Sequence, residues 1–382
     1  MNASHLSALE TLGRAADGLR AAFDSASAYT VGVEEEVMLL SPRDLGLAPV
    51  ATEVLDRTAG DSRFKLELPA SQLEIVCDPA GHVGAIEAAL RKARSDLAER
   101  CGALASLAAA GVHPFSSGVG ELNRLPRYEH VTGAYGAIAA RQLVCALQVH
   151  VAVGESDRAL GVYNALRSYL PLLAALAANG PFYEGADTGF ASVRPKLAEL
   201  LPRQGIPPSL SSWEAYAWAL GPDTTSGTYA DLRTWWWELR LHPRYGTLEL
   251  RVPDSQSTVN DAVAIAAVAH CLVRWLGDRH DAGNRSATEP SWRVEQNRWS
   301  AARHGVEGTM VDFQTGERRS TRTLLHELLD SLRATATRLQ ASAPIERARE
   351  LIEANGAILQ RRAAAGGDAR AAARWLAERF QQ

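Results

Sequence analysis

Residues 31–40 of this 382-residue chain are VGVEEEVMLL, a β-rich stretch with three consecutive glutamates. Successive side chains of a β-strand point to opposite faces of its sheet. Glu34 and Glu36 therefore share one face, whereas Glu35 lies on the other face among valines. The stretch predicts a strand with one apolar face and one acidic face.

The same alternation recurs along the chain, and the predicted strands are 29–40, 72–76, 143–153 and 247–252. Their polar faces carry Gln72 and Glu74, then Gln148 and His150, then Thr247, Glu249 and Arg251, with Glu67 just upstream of the second strand. A single wet face of an antiparallel sheet would alternate in this way too. Taken together, however, the strands gather glutamates with Arg251 as the only cation of those segments, which favours a cation-binding site.

The chemistry of such a cluster points to a divalent metal ion. Two carboxylates about 4 Å apart repel by roughly 4 kcal/mol at an effective dielectric constant near 20. Oxygen ligands with an occasional imidazole suit Mg²⁺ or Mn²⁺, and Mg²⁺ normally shares its remaining positions with water and phosphate. The chain contains neither G-x-x-x-x-G-K-[ST] nor a G-x-G-x-x-G turn after a strand. We therefore expect a magnesium–nucleotide site of another kind.

Composition narrows the partners and the compartment. A net charge of −4 and a pI near 6.2 give no reason to expect binding to nucleic acid or to an anionic membrane. The four cysteines form no C-x-x-C pair, which favours a reduced cytoplasm. Apolar stretches such as residues 170–178 are too short to span a bilayer. Small-molecule substrates are the expected partners, and a homo-oligomer stays open.

Helices are predicted between and after the strands, within one domain that covers residues 1–382. Apolar side chains recur at helical spacing over 83–110 and 320–342. Residues 201–228 place breakers around a short aromatic helix and suggest an insertion or lid, while 281–290 reads as a polar turn. Terminal helices are expected over 343–382, with a break at Gly366 and Gly367.

Five motifs now support a family resemblance: VGVEEEVMLL, LELPASQLEIVCDP, LQVHVAVG, PRYGTLELRVPDSQ and QNRWSAARHG. In this order they resemble motifs of the bacterial carboxylate–amine ligases of the glutamate–cysteine ligase type 2 family, over residues 29 to 316. The resemblance implies an α+β, glutamine-synthetase-like fold. In that fold a curved, mainly antiparallel sheet forms a funnel with helices outside, and two or three Mg²⁺ ions and ATP lie inside.

The resemblance also implies residue roles. Metal binding would fall to Glu34, Glu36, Glu67, Glu74 and Glu249, and the catalytic pair would be Arg251 and Glu249. Contacts to the nucleotide would fall to Gln148, His150, Arg240 and Arg298, although the motif around Arg298 could equally be a structural corner. Many family members carry H-V-H where this chain has Gln148-Val149-His150.

The expected activity is an ATP-dependent, ADP-forming ligation of glutamate to cysteine through an acyl phosphate, which gives γ-glutamylcysteine. Two alternatives are the same chemistry on another acid or amine, and a nucleotide- or metal-binding regulator without turnover. A repulsive acidic cluster also predicts that Glu34→Gln or Glu249→Gln leaves thermal stability equal or higher.

Overall fold

A computed structural model describes residues 3–221, 235–284 and 287–382 of the chain. Residues 222–228 of the predicted insertion or lid, and residues 285–286 of the predicted polar turn, lie outside the described residues. The helices are α1 Ala3–Asp24, α2 Ala51–Asp56, α3 Val83–Cys101, α4 Pro126–Tyr135, α5 Ser156–Leu166, α6 Leu170–Leu176, α7 Arg194–Ala198, α8 Trp213–Leu220, α9 Val259–Asp281, α10 Ser291–His304, α11 Thr321–Arg338, α12 Ser342–Glu353, α13 Gly356–Ala363 and α14 Ala369–Arg379. The strands are β1 Val31–Leu40, β2 Phe64–Leu66, β3 Gln72–Ala80, β4 Ser106–Ala108, β5 Leu147–Ala152, β6 Phe182–Tyr183, β7 Ala186–Asp187, β8 Leu239–His242, β9 Thr247–Leu250, β10 Thr309–Val311 and β11 Arg318–Ser320.

A seven-stranded sheet forms the centre of the molecule. Its strand order is β2-β3-β1-β5-β9-β8, and β4 pairs with the far end of β1. Every pairing within this sheet is antiparallel. The four predicted strands correspond to β1, β3, β5 and β9, and the predicted α+β class with a mainly antiparallel sheet is confirmed.

Strand register brings the predicted polar residues together. Residues paired on neighbouring strands lie on the same face. Glu36 is paired with Glu74, and Glu34 with Gln148. His150 is paired with Glu249, which is paired on its other side with Arg240. One face of five adjacent strands therefore carries a continuous field of polar side chains.

The opposite face of the sheet is the core. Leu73, Ile75, Leu147, Val149 and Leu248 are all 0% exposed. Each such side chain stabilises the fold by roughly 1.5–3 kcal/mol relative to an exposed position. Helices α3, α5 and α9 cover this face, and α11 and α12 pack outside α9.

Helix α9 is long and apolar enough to cross a membrane by length and composition, contrary to the expectation that the apolar stretches are too short. However, 83% of its most apolar window is buried inside the protein. The Thr258 hydroxyl accepts a hydrogen bond from the Asp261 amide and caps its first turn. It is therefore the central helix of the core.

Glu35 points into this core, as the alternation predicts. Its carboxylate is 0% exposed and receives two hydrogen bonds from the buried Arg94, of 2.8 and 2.6 Å. Arg94 also donates to the carbonyls of Gln256 and Phe380, each at 2.7 Å. The charge pair thus ties β1 to α3, to the loop after β9 and to the end of the chain.

Two helix predictions were wrong at their ends. The helix predicted over 83–110 stops at Cys101, where Gly102 takes a φ of 52°, and residues 106–108 instead form β4 against β1. The helix predicted over 320–342 ends at Arg338, and a new helix begins at Ser342. Residues 106–108 form a strand because their pairing with β1 outweighs the helical spacing of this short apolar run.

The terminal helices and their break are confirmed. Gly366 and Gly367 have φ values of 100° and 109° and separate α13 from α14. Helix α14 places Leu376 against Met38 and Leu40, which share the face of Glu36. The end of the chain therefore covers one end of the acidic face.

Candidate active site

A cavity of about 770 Å³ lies against the polar face of the sheet. Five of the predicted site residues line it, namely Glu34, Glu36, Glu67, Glu74 and Arg251. The wall also contains Lys65, Gln72, Arg127, Tyr128, Arg194, Trp236 and Glu238. The structure thus places most of the predicted metal ligands around one space.

Glu249 lies beside this space and is 0% exposed. Arg240 donates to it through Nε and, at 3.0 Å, through Nη2, while Arg251 Nη1 donates at 2.5 Å. Burial alone would raise the pKa of Glu249, but the charges of Arg240 and Arg251 outweigh it and hold that pKa well below its usual range. The buried carboxylate is therefore ionised and anchors two guanidinium groups.

Gln148 connects that anchor to the acidic strand. Its Nε2 donates to Glu36 Oε1 at 2.8 Å, and its Oε1 accepts from Arg251 Nη1. The other oxygen of Glu36 accepts from the Ala146 amide at 2.6 Å. Burial raises the pKa of Glu36. The amide of Gln148 on β5 therefore connects Glu36 on β1 with Arg251, which directly follows β9 on the other side of β5.

Glu67 and Glu74 are carboxylates of the acidic cluster with strongly raised pKa values. Burial, together with the charge of Glu34, raises the pKa of Glu74 to about 7. Burial raises the pKa of Glu67 well above its usual range, and the charge of Glu74 adds to the shift. Lys65 Nζ lies 3.3 Å from Glu74 Oε1. The charges of Lys65, Arg127 and Arg251 do not offset the raised pKa values of Glu67 and Glu74, so an added cation would be favoured.

His150 is held between two carboxylates. Its Nδ1 is 3.0 Å from Thr247 Oγ1, and its Nε2 lies 3.9 Å from Glu34 Oε2 and 4.0 Å from Glu249 Oε1. Burial alone would raise the pKa of Glu34, but the nearby imidazole of His150 outweighs it and lowers that pKa. Among the described residues, His150 Nε2 has no hydrogen-bond partner. A buried nitrogen without a partner beside two carboxylates is a suitable donor set for a hard divalent cation.

The side chains are not gathered into a closed metal centre. In the described parts of the chain, no three His, Cys, Asp or Glu side chains converge closely enough to hold a metal ion. The arginines compete for Glu249, and the Ala146 amide and Gln148 occupy Glu36. The predicted ligand set therefore stays a prediction.

Arg298 lies behind the cavity wall and is 4% exposed. Its Nε and Nη2 donate to Glu238 at 2.7 and 2.5 Å, and Glu238 lines the cavity. The predicted nucleotide contact of Arg298 stays a prediction, and the contact that the structure shows is with this acid. Arg240 reaches the polar face but binds Glu249 rather than lining the cavity.

Sequence reasoning missed several residues of the site. Lys65 joins the polar face through β2, a strand of three residues that gives little periodic signal. Arg194 lines the cavity and binds Asp254 at 2.7 Å, but it lies outside the five motifs. Lys65 had one signal, since it is two residues from Glu67 in a chain with few lysines.

A comparison with protein families agrees with the resemblance of the five motifs. The sequence profile described as glutamate–cysteine ligase family 2 (GCS2) matches residues 30–374. The chain belongs to this family. Membership of the family supports an enzyme of the carboxylate–amine ligase kind. The matched residues include the five motifs and most of the C-terminal helices.

Named relatives agree with this assignment. A protein of Rubrobacter xylanophilus, named as a candidate glutamate–cysteine ligase 2-3, is 38% identical over 349 residues, covering 89% of this chain and 93% of the relative. A candidate glutamate–cysteine ligase 2-1 of Frankia alni is 33% identical over 353 residues, covering 90% and 92%.

Solved structures share the fold at much lower identity. The glutamate–cysteine ligase of Francisella tularensis, solved in complex with AMP, superposes with a TM-score of 0.68 at 11% identity, covering 93% of this chain and 90% of that one. A bifunctional glutathione synthetase from Pasteurella multocida gives 0.64 at 15% identity, covering 97% of this chain and 54% of that one. Both support the predicted fold.

Proposed function

We propose that this glutamate–cysteine ligase family 2 protein is an ATP-dependent, ADP-forming ligase that joins the γ-carboxyl group of glutamate to the amine of cysteine. The observation that carries the proposal is the arrangement of Arg251. Its guanidinium is fixed by Glu249 and Gln148 and lines a cavity that five glutamates also line. A fixed guanidinium beside an acidic cluster that favours added cations is suited to a reaction between phosphates and carboxylates. The structure of an AMP complex in the Francisella enzyme is consistent with a nucleotide in this fold.

Magnesium, or manganese, would be held by Glu34, Glu36, Glu67 and Glu74, with His150 Nε2 as the nitrogen ligand. It would supply charge neutralisation for the phosphates of ATP. The raised pKa values of Glu67 and Glu74 support this assignment, because an added cation would favour their ionised forms.

The chain's own residues would then perform binding and orientation. In the first step the γ-carboxylate oxygen of glutamate attacks the γ-phosphorus of ATP, ADP leaves and an acyl phosphate forms. Arg251 is placed to bind the transferred phosphoryl group, because Glu249 and Gln148 prevent its guanidinium from turning away.

In the second step the cysteine nitrogen attacks the acyl carbonyl carbon, phosphate leaves and the nitrogen loses a proton. Arg251 would also stabilise the oxyanion and the departing phosphate. Arg194 supplies a second guanidinium on the wall, held by Asp254 at 2.7 Å and by the Val252 carbonyl at 2.6 Å. None of these steps requires a covalent enzyme intermediate.

Ligation of a different acid or amine is the second candidate function. It is favoured by the apolar and aromatic side chains of the wall, which include Leu66, Tyr128, Val131 and Trp236. Those side chains do not require that the amine substrate carry a thiol. A nucleotide- or metal-binding regulator without turnover is the third.

Phosphate release with Mg-ATP, measured for pairs drawn from a panel of acids and amines, tests the proposal. We expect release with glutamate plus cysteine, and a loss of roughly 10²–10³-fold in kcat for Arg251→Lys, which keeps the charge and loses the fork. Arg333→Lys, on an exposed side chain far from the cavity wall, is the matched control and should behave as the parent. Release with another pair favours the second candidate, and none with any pair favours the regulator.

Cation binding has a separate test that does not require turnover. A ligand that binds only the folded state raises the melting temperature. ATP with Mg²⁺ should raise it more than ATP with EDTA does. Equal shifts would contradict the assignment of the glutamates to a metal site. We further propose a cytoplasmic location, since Cys77, Cys101, Cys145 and Cys271 are all unpaired thiols.

A further inference from the structure

The wall of the cavity contains one carboxylate that stands apart from the proposed metal cluster. Glu238 precedes β8 and lines the cavity, while only 6% of its surface is exposed. Its ion-pair partner Arg298 comes from α10 and does not line the cavity. The pair is therefore asymmetric, with the acid in front and the base behind it.

The backbone and the side chain of Glu238 are both fixed. Its amide donates to the Gly205 carbonyl at 3.0 Å, and its carbonyl accepts from the Arg251 amide at 2.8 Å. Arg298 donates to both carboxylate oxygens at distances of 2.5 to 2.9 Å. Each carboxylate oxygen has further lone pairs, so this geometry leaves acceptor capacity for a group in the cavity.

An aromatic ring shares this part of the wall. Of the three consecutive tryptophans before Glu238, Trp235 packs against the core, whereas Trp236 lines the cavity. Tyr135 packs against the Trp236 ring with centroids 5.7 Å apart and an interplanar angle of 66°. A carboxylate and an indole on one wall is the combination that binds an alkylammonium ion, by a charge-assisted hydrogen bond and a cation–π contact.

The charges at this position disfavour the other reactants. A carboxylate repels the phosphates of ATP, and a single carboxylate already paired with arginine is a poor ligand for a divalent cation. We propose that Trp236 and Glu238 form a subsite for the ammonium group of an amino-acid substrate, and that Arg298 is the residue that positions Glu238. This inference rests on the proposed function and assigns the QNRWSAARHG motif, which contains Arg298, a role in it.

Both amino acids of the proposed reaction carry an ammonium group, so the test must separate them. We would measure binding by titration calorimetry in the presence of Mg²⁺ and AMP-PNP, comparing glutamate with glutarate and cysteine with 3-mercaptopropionate. Each pair differs by the amine. In the parent, one amine-bearing ligand should bind more tightly than its partner, and the affected pair identifies the source of the ammonium.

Glu238→Gln should reduce that preference roughly 10- to 100-fold. Trp236→Leu leaves the Glu238–Arg298 pair intact and should reduce it roughly 2- to 30-fold, which keeps the test decisive if Glu238→Gln fails to fold. Glu295→Gln is the matched control, because Glu295 Oε1 accepts from the Ile206 amide and the side chain does not line the cavity. Its preference should equal that of the parent.

An unchanged preference in Glu238→Gln and Trp236→Leu would overturn the proposal. So would a parent that favours the amine-bearing ligand in neither pair. If the preference is present and lost in the variants, but no ligation of glutamate with cysteine occurs, the subsite stands and the proposed reaction fails.

Discussion

Glu249→Gln is the substitution for which the structure reverses the expectation drawn from sequence. An acidic cluster predicts that removal of one charge relieves repulsion. Instead, Glu249 is fully buried and receives three charge-assisted hydrogen bonds from Arg240 and Arg251. The amide would retain one acceptor oxygen but no charge, and it would leave two guanidinium groups beside each other without compensation.

Removal of one partner from a buried charge pair costs about 3–5 kcal/mol. We therefore expect Glu249→Gln to lower the free energy of unfolding by about that amount at pH 7.5, measured by urea denaturation in EDTA with tryptophan fluorescence. The pKa of Glu249 is depressed in the folded state, so its contribution is complete above the unfolded pKa. The difference between variant and parent should therefore shrink as the pH falls below about 4.5.

Glu34→Gln is the matched control for this measurement. It makes the same change on the same polar face, where Glu34 is 3.9 Å from His150 and has no bond to an arginine among the described residues. We expect a change of less than about 1 kcal/mol. A Glu249→Gln protein as stable as the parent would refute the conclusion that this acid anchors the two arginines.

Three further predictions follow from the ionisable network. Because the pKa of Glu74 is raised to about 7, the parent should lose on the order of 2 kcal/mol of unfolding free energy between pH 5 and pH 8 that Glu74→Gln keeps; parallel pH profiles would contradict this. Arg94→Ala should cost about 3–5 kcal/mol in urea denaturation, whereas Arg91→Ala, which breaks an exposed pair on the same helix, should cost less than about 1 kcal/mol; similar losses would show that the buried pair has no special weight. Gln148→Leu should need roughly 10- to 100-fold more Mg²⁺ for half-maximal activity, and Gln148→His should keep activity and add an acidic limb to the pH profile; an unchanged Mg²⁺ titration of the leucine variant would place Gln148 outside the metal's surroundings.

Much of the polar face was predictable because side-chain alternation is a local property. The sequence alone separates Glu34 and Glu36 from Glu35, and the register of β1 with β3 and β5 then brings the predicted acids together. The roles of the individual residues came from the motif resemblance. Periodicity shows which side chains share a face but not what they bind.

The misses have long-range causes. The positive charge beside Glu74 comes from Lys65 on a strand of three residues, so the cluster is less acidic than the sequence suggests. The packing of Leu376 on Met38 and Leu40 joins residues more than 300 positions apart, and a local sequence pattern cannot predict it. The role of Glu238 as the partner of Arg298 likewise depends on the docking of α10.

The most direct test of the central claim follows one oxygen atom. Glutamate labelled with ¹⁸O in both γ-carboxyl oxygens should be incubated with the protein, Mg-ATP and cysteine, and the released phosphate and nucleotide analysed by mass spectrometry. An acyl phosphate intermediate predicts ADP and one ¹⁸O atom transferred to each phosphate. Release of AMP, or of phosphate that carries no ¹⁸O, would contradict it.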